Sequence, residues 1–277
     1  MKEGPLSVRE TKELLSRLGH RPRHALGQNY LVDGNIVRKS LELGDVRAGD
    51  VVVEVGPGLG TLTRTLLTAG AEVHAVEADP AMAAHLREFM AEKLGHGFFL
   101  EEGDAVESPL ADLRDPADGS FKVIANLPYA ISTPWMDAVC RGPHPSVMVL
   151  MLQREAAERL TAQVGGAHWS AATAQVSLAF EKVRIHPVPG QSFNPPPKVD
   201  SCLLALRRRP DARRLSPRAR EVARMLFTLR RKQLGASVRT LFPEAADVRA
   251  WLAGLGAYGL GPTARPQEVP AEAWLGL

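Results

Sequence analysis

The chain has only two cysteines in 277 residues, Cys140 and Cys202, and no cysteine–histidine spacing that fits a metal site. A disulfide framework and a structural zinc are excluded on those counts, and a reducing, cytoplasmic setting is expected. No apolar run reaches the roughly 18 residues of a membrane span. No apolar leader segment is visible, nor any internal repeat or low-complexity stretch. Aromatic residues make up only 5 % of the chain, against 45 % hydrophobic residues overall. Each ring is therefore worth locating individually.

One-sided charge is lacking too, since the net charge is +3. Its distribution is uneven. Arg207 to Arg239 holds twelve Arg or Lys and two acids, Asp211 and Glu221, a local +10 that leaves −7 for the rest. A basic segment on a mildly acidic body predicts a polyanionic partner, nucleic acid first. The plain alternative is a solvated Arg-rich helix face. Arg230, Arg231 and Lys232 form the last of three clusters and are candidate phosphate contacts.

What is present is a strand, a glycine loop and a helix. Val51-Val52-Val53 is β-branched and reads as a buried strand, and Thr61 to Leu67 reads as a helix. Between them lies Glu54-Val55-Gly56-Pro57-Gly58-Leu59-Gly60. A dinucleotide site calls for G-x-G-x-x-G. Gly56, Gly58 and Gly60 instead give G-x-G-x-G with an acid two residues ahead, the pattern of S-adenosylmethionine-dependent methyltransferases. A second strand, Ala71 to Val76, ends at Glu77, placed to take ribose hydroxyls. A third, Gly97 to Leu100, leads to Asp104, placed to accept an adenine amino group.

A fourth strand, Phe121 to Ala125, runs into Asn126-Leu127-Pro128-Tyr129. An amide, carbonyls stiffened by proline and an aromatic ring at a strand end can hold a flat base with an exocyclic amine. The amide and a carbonyl accept the amine hydrogens, and Tyr129 stacks on the base. Phe193 either covers the other face or is pinned by its proline-rich turn for packing. Lys198 either binds phosphate or caps a strand.

Ser7 with Glu10 reads as a capping box that opens a leading helix over 7–18. Ser146 to Leu152 reads as a fifth strand. Val176 to Ile185 and Val199 to Leu206 read as two further β-runs joined by a long turn, Pro187 to Lys198. From Ser216 onward the pattern is helical, and Gly254, Gly256, Gly259 and Gly261 then interrupt it. The expected fold is α/β: a doubly wound, Rossmann-like sheet with an antiparallel last strand, over residues 1–207. A small basic helical domain over 208–277 is expected to recognise RNA.

Four segments together resemble one family, the adenine N6-dimethyltransferases of small-subunit (16S) ribosomal RNA, the kasugamycin-sensitivity family. They are Gly27 to Leu31, Glu54 to Gly60, Asn126 to Tyr129, and Phe193 to Ser201; Leu229 to Leu234 resembles the family's basic motif. The resemblance spans about residues 24–240. It implies two methyl groups placed on N6 of each of two adjacent adenines near the RNA 3′ end, and a role in late small-subunit assembly. It implies S-adenosylmethionine as cofactor, held by Asn29, Leu31, Gly56, Gly58, Glu77, Asp104 and Asn126. The expected partner is the small subunit and its RNA, with no membrane, no metal and a monomeric enzyme. Tyr30 departs from the family's usual Phe, a change expected to sit at a wet cleft edge. A non-catalytic assembly factor and a large-subunit methyltransferase are the competing readings.

Overall fold

The computed structural model describes residues 5–23, 27–93 and 97–277. Contacts divide the chain into two compact units. One runs up to Ala157 and adds Lys182–Arg208; the other combines Glu158–Glu181 with Arg209–Leu277.

The first unit opens with α1 (Val8–Arg17), whose Ser7–Glu10 capping box forms as the sequence predicts. A two-residue strand, β1 (Tyr30–Leu31), precedes α2 (Gly34–Leu43). The parallel part of the main sheet is then laid down as β2 (Val51–Val55), α3 (Thr61–Thr68), β3 (Glu72–Glu77), α4 (Pro80–Lys93) and β4 (Phe98–Glu102). The chain crosses back for β5 (Lys122–Asn126), α5 (Ser132–Val139) and β6 (Val147–Gln153), and α6 (Arg154–Leu160) follows. Strand order is β4-β3-β2-β5-β6 before the sheet is extended further. The winding reverses between β2 and β5, the position where open α/β sheets bind ligands. Four of the five residues of β2 are buried, which explains its continuous β-branched run.

α7 (Ala171–Ala179) leads into β7 (Phe180–Val188). The sequence reading of Val176 to Ile185 as one β-run is therefore corrected. Ser170 caps a helix by accepting from the Thr173 N–H at 3.2 Å, and Val176, Leu178 and Ala179 are buried on it. An apolar run of that length fits either element, and the cap decides it. The expected long turn also holds structure: β8 (Phe193–Asn194) pairs antiparallel with β1. β9 (Ser201–Arg208) then lies antiparallel to β6, with Met151 opposite Leu203, and β7 lies outside β9.

The second unit contains α7, α8 (Pro217–Thr228), α9 (Leu234–Leu241) and α10 (Ala246–Gly254), followed by short 3₁₀ turns. Leu226 and Leu234 are fully buried in its core, while Met225 packs at the margin. The glycine-interrupted tail, which the sequence left without a role, supplies much of this core. Trp274 is 0 % exposed and stacks on Trp251 at 4.8 Å. Trp169 donates its indole N–H to the Val269 carbonyl at 3.0 Å.

Candidate active site

The loops after β2, β3, β4 and β5 converge on one cleft of about 210 Å³. Asn29, Leu31, Gly56, Gly58, Glu77, Asp104 and the run Asn126 to Tyr129 all line it, as do Gln28, Tyr30 and Glu54. The structure thus gathers every residue expected to hold cofactor with all but one of those expected at the base. The exception is Phe193. It is 3 % exposed and packs beside Leu31 and Val188 in the core, opposite Leu31 in the small sheet. Lys198 is exposed in the connection between β8 and β9 and does not line the cleft. Arg230, Arg231 and Lys232 belong to the second unit.

Two glycines show why the loop needs them. Gly56 has φ 65°, and a Cβ there would lie 3.4 Å from the Pro128 ring. Gly58 has φ 57°, and its Cβ would lie 3.1 Å from the Tyr30 ring. Side chains at either position would be strained by the positive φ, and at Gly58 a Cβ would also crowd the Tyr30 ring. Pro128 therefore does more than stiffen its own loop: it seats the Asn126–Tyr129 segment against the glycine loop.

Glu77 binds the glycine loop directly. Its Oε2 accepts from the Gly58 N–H at 2.9 Å and its Oε1 from the Asp79 N–H at 2.9 Å. Burial raises its pKa, and those backbone N–H groups oppose the rise. Glu54 is 2 % exposed and its Oε2 has no partner. Burial pushes its carboxyl up to about 8, a rise that Thr63 opposes and Glu77 adds to. An orphaned buried carboxyl beside a second acid suits a cationic sulfonium, which would draw it to its ionised form, so the residues present fit S-adenosylmethionine.

Glu54 also gives the protein a signature against pH. Its proton is held more tightly in the folded chain than at the ordinary carboxylate value of 4.5. The stabilisation is complete below that value and drains away as pH rises toward about 8. Glu54→Gln keeps a neutral group throughout. Between about pH 5 and 8 the wild-type Tm should fall relative to that of the variant; parallel Tm curves would mean that Glu54 is ionised in the folded protein.

At the end of β5, Asn126 donates its Nδ2–H to the Asn29 carbonyl at 3.0 Å. A carbonyl can only accept, so this contact fixes which way the amide faces and leaves Oδ1 as a free acceptor. The Tyr129 hydroxyl is 2.6 Å from Ser201 Oγ at the start of β9, which holds the ring in place. Burial raises the Tyr129 pKa, opposed by that hydrogen bond. Asp104 turns its Oδ1 to the Val106 N–H at 2.7 Å.

The expectation for Tyr30 is corrected. Rather than meeting water, it is 7 % exposed, with its hydroxyl 3.7 Å from Met82 Sδ. Burial, with Glu77 and Asp79 nearby, raises its pKa. Sequence reasoning also assigned nothing to Asp79, Ser201 or the Gln28 side chain. For Asp79 a signal existed: an aspartate directly before Pro80 at a helix start is a capping pattern.

Among the described residues no group of three or more His, Cys, Asp or Glu could hold a metal ion. Nor is any helix among them long and apolar enough to cross a membrane. Residues 19–252 match the family model for ribosomal RNA adenine dimethylase. A relative from Opitutus terrae, ribosomal RNA small subunit methyltransferase A, is 50 % identical, with 99 % of this chain and 98 % of the relative covered. A dimethyladenosine transferase structure from Plasmodium falciparum superposes with a TM-score of 0.70 at 26 % identity, covering 89 % of this chain and 94 % of that one. The 23S rRNA methyltransferase ErmE gives a TM-score of 0.61 at 28 % identity, covering 90 % and 97 %. A match of that extent, carried by a methyltransferase sheet and an Asn-Leu-Pro-Tyr cleft, makes this chain a member of the ribosomal RNA adenine dimethylase family.

Proposed function

We propose that the protein methylates N6 of two adjacent adenines near the 3′ end of small-subunit (16S) ribosomal RNA to dimethyladenosine, acting as a monomer in the cytoplasm late in subunit assembly. The observation that carries this reading is 50 % identity, across nearly the whole of both chains, with a small-subunit methyltransferase.

S-adenosylmethionine supplies the methyl group. Gly56 and Gly58 let the backbone approach it, Glu77 and Asp104 take its polar edges, and Asn29, Leu31 and Asn126 close the cleft around it. The adenine amine is a poor nucleophile, because its lone pair is delocalised into the ring. Asn126 Oδ1 and the Leu127 carbonyl accept its hydrogens, draw the nitrogen toward sp³ geometry and stabilise the positive charge that develops there. No strong base is needed, since the proton becomes acidic as the methyl arrives. Tyr129 stacks on the base, a contact worth about 1–3 kcal/mol, once the nucleotide has left its own stack. Phe193 supports this arrangement from the core through Leu31 instead of touching the base.

Arg231 and Lys232 are exposed, and neither side chain has a partner among the described residues. They and Lys198 are the phosphate contacts in this reading. Arg230 is partly committed, since it donates to the Ala167 carbonyl at 2.6 Å. Replacing Arg231 and Lys232 together by Gln should weaken RNA binding and lower the slope of log affinity against log salt by about 2. An unchanged slope removes both from the interface.

The reading as a whole is tested by methyl transfer from labelled cofactor to small subunits lacking the modification, with large subunits in parallel. Dimethyladenosine at adjacent small-subunit positions is the expected product. Label confined to large subunits would favour the reaction named for ErmE, and absence of cofactor binding would favour a non-catalytic assembly factor.

A further inference from the structure

Gln28 lines the cleft, yet its amide is already engaged by protein. Oε1 accepts from the Arg23 backbone N–H at 2.8 Å and lies 3.0 Å from His20 Nε2. Since that oxygen can only accept, the His20 nitrogen facing it carries the proton. Nε2 of Gln28 donates to Asp79 Oδ2 at 2.9 Å. Both lone pairs of the oxygen and one of the two N–H groups are thus spent on holding the chain.

Asp79 is a firm anchor. It is 0 % exposed, its Oδ1 accepts from the Ala81 N–H at 3.0 Å at the start of α4, and its own N–H is bonded to Glu77. The Arg23 guanidinium stands 3.9 Å from Oδ2, and His20 Nε2 stands 3.6 Å from it. On the other side of Asn29, Tyr30 is fixed by its pairing with Asn194 and by its buried ring. The Asn29 carbonyl is therefore held between two anchors, and it is the group that orients the Asn126 amide.

We infer that Gln28 and Asp79 are positioning residues for methyl transfer, acting through the Asn29 carbonyl to hold the Asn126 amide with its oxygen toward the substrate. The path runs from the acid that follows the cofactor-binding Glu77, through a side-chain amide, along one residue of backbone, to the acceptor of the amine. It explains why an amide in the cleft wall makes its hydrogen bonds away from the ligand. The inference rests on the reading of Asn126 as that acceptor.

Gln28→Ala and the similarly sized, apolar Gln28→Met test it in the full-length protein. The first measurement is calorimetric affinity for S-adenosylmethionine beside kcat on small subunits. A displaced amide should lower kcat by roughly tenfold to a hundredfold while cofactor Kd changes by less than about threefold. The second is a double-mutant cycle with Asn126→Ala, followed by single-turnover transfer of label. If Gln28 acts through Asn126, its removal should cost less than about twofold once Asn126 is gone. Unchanged kcat in a folded Gln28 variant overturns the proposal. So does a loss that saturating cofactor restores, or the same fold-loss in both backgrounds. Full turnover by Asn126→Ala would instead defeat the underlying reading of Asn126, whatever Gln28 does.

Discussion

Replacing Asn126 with alanine should lower kcat by about 10²–10³-fold, the usual cost of losing one preorganised polar group aimed at developing charge. RNA affinity should stay within about twofold, because base stacking and phosphate contacts supply most of it. The loss should fall on kcat and on kcat/KM for RNA alike, since the interaction strengthens only as the amine becomes cationic. The amide has a second task that the same variant exposes. Its Nδ2 holds the Asn29 carbonyl, so a rise in cofactor Kd would measure how far the segment before β1 depends on that bond. Loss of RNA binding would instead make Asn126 a structural residue.

Trp274→Ala should destabilise the second unit by about 3–5 kcal/mol, the range for deleting a buried aromatic side chain. The ring is fully buried, 4.8 Å from Trp251 and 6.0 Å from Phe227 between centroids. Trp251 in turn donates to the Ala273 carbonyl at 2.8 Å, so the hole opens beside a hydrogen bond that needs its neighbour in place. Urea unfolding read through tryptophan emission gives the number. Two units make a single two-state fit unsafe, and the transition that moves should be the one reporting on Trp169 and Trp251. A loss below about 1 kcal/mol would show that the tail is replaceable packing.

These two residues mark the limits of reading the sequence. The place of Asn126 in the cleft was legible because its signal is local: an amide, a proline and a ring within four positions at a strand end. The glycine loop was legible for the same reason, and Glu77 followed from its distance to it. Trp274 was not. It sits on a short 3₁₀ turn with no helical or strand period, and the ring it stacks on is 23 residues away in sequence. Helix α7 was missed because its apolar end runs without a break into β7. Nothing in the sequence points to the Gln28 side chain, because its partner, Asp79, is 51 positions away. Phe193 was left open between stacking and packing, and the pairing of β8 with β1, invisible in a two-residue strand, places it in the core.

The second unit is built from two stretches of chain, and α7 belongs to it although it precedes β7 and β9. Ala174 and Leu178 on that helix are as much part of its core as Trp274. Relatives therefore cannot exchange this unit as a single C-terminal cassette. A recombination point after Arg208 would separate a helix from the residues it packs against, while residues 158–181 travelled with the other parent. Inheritance of this unit along the family is thus tied to the interior of the gene as well as to its end, and a graft of it must carry both pieces.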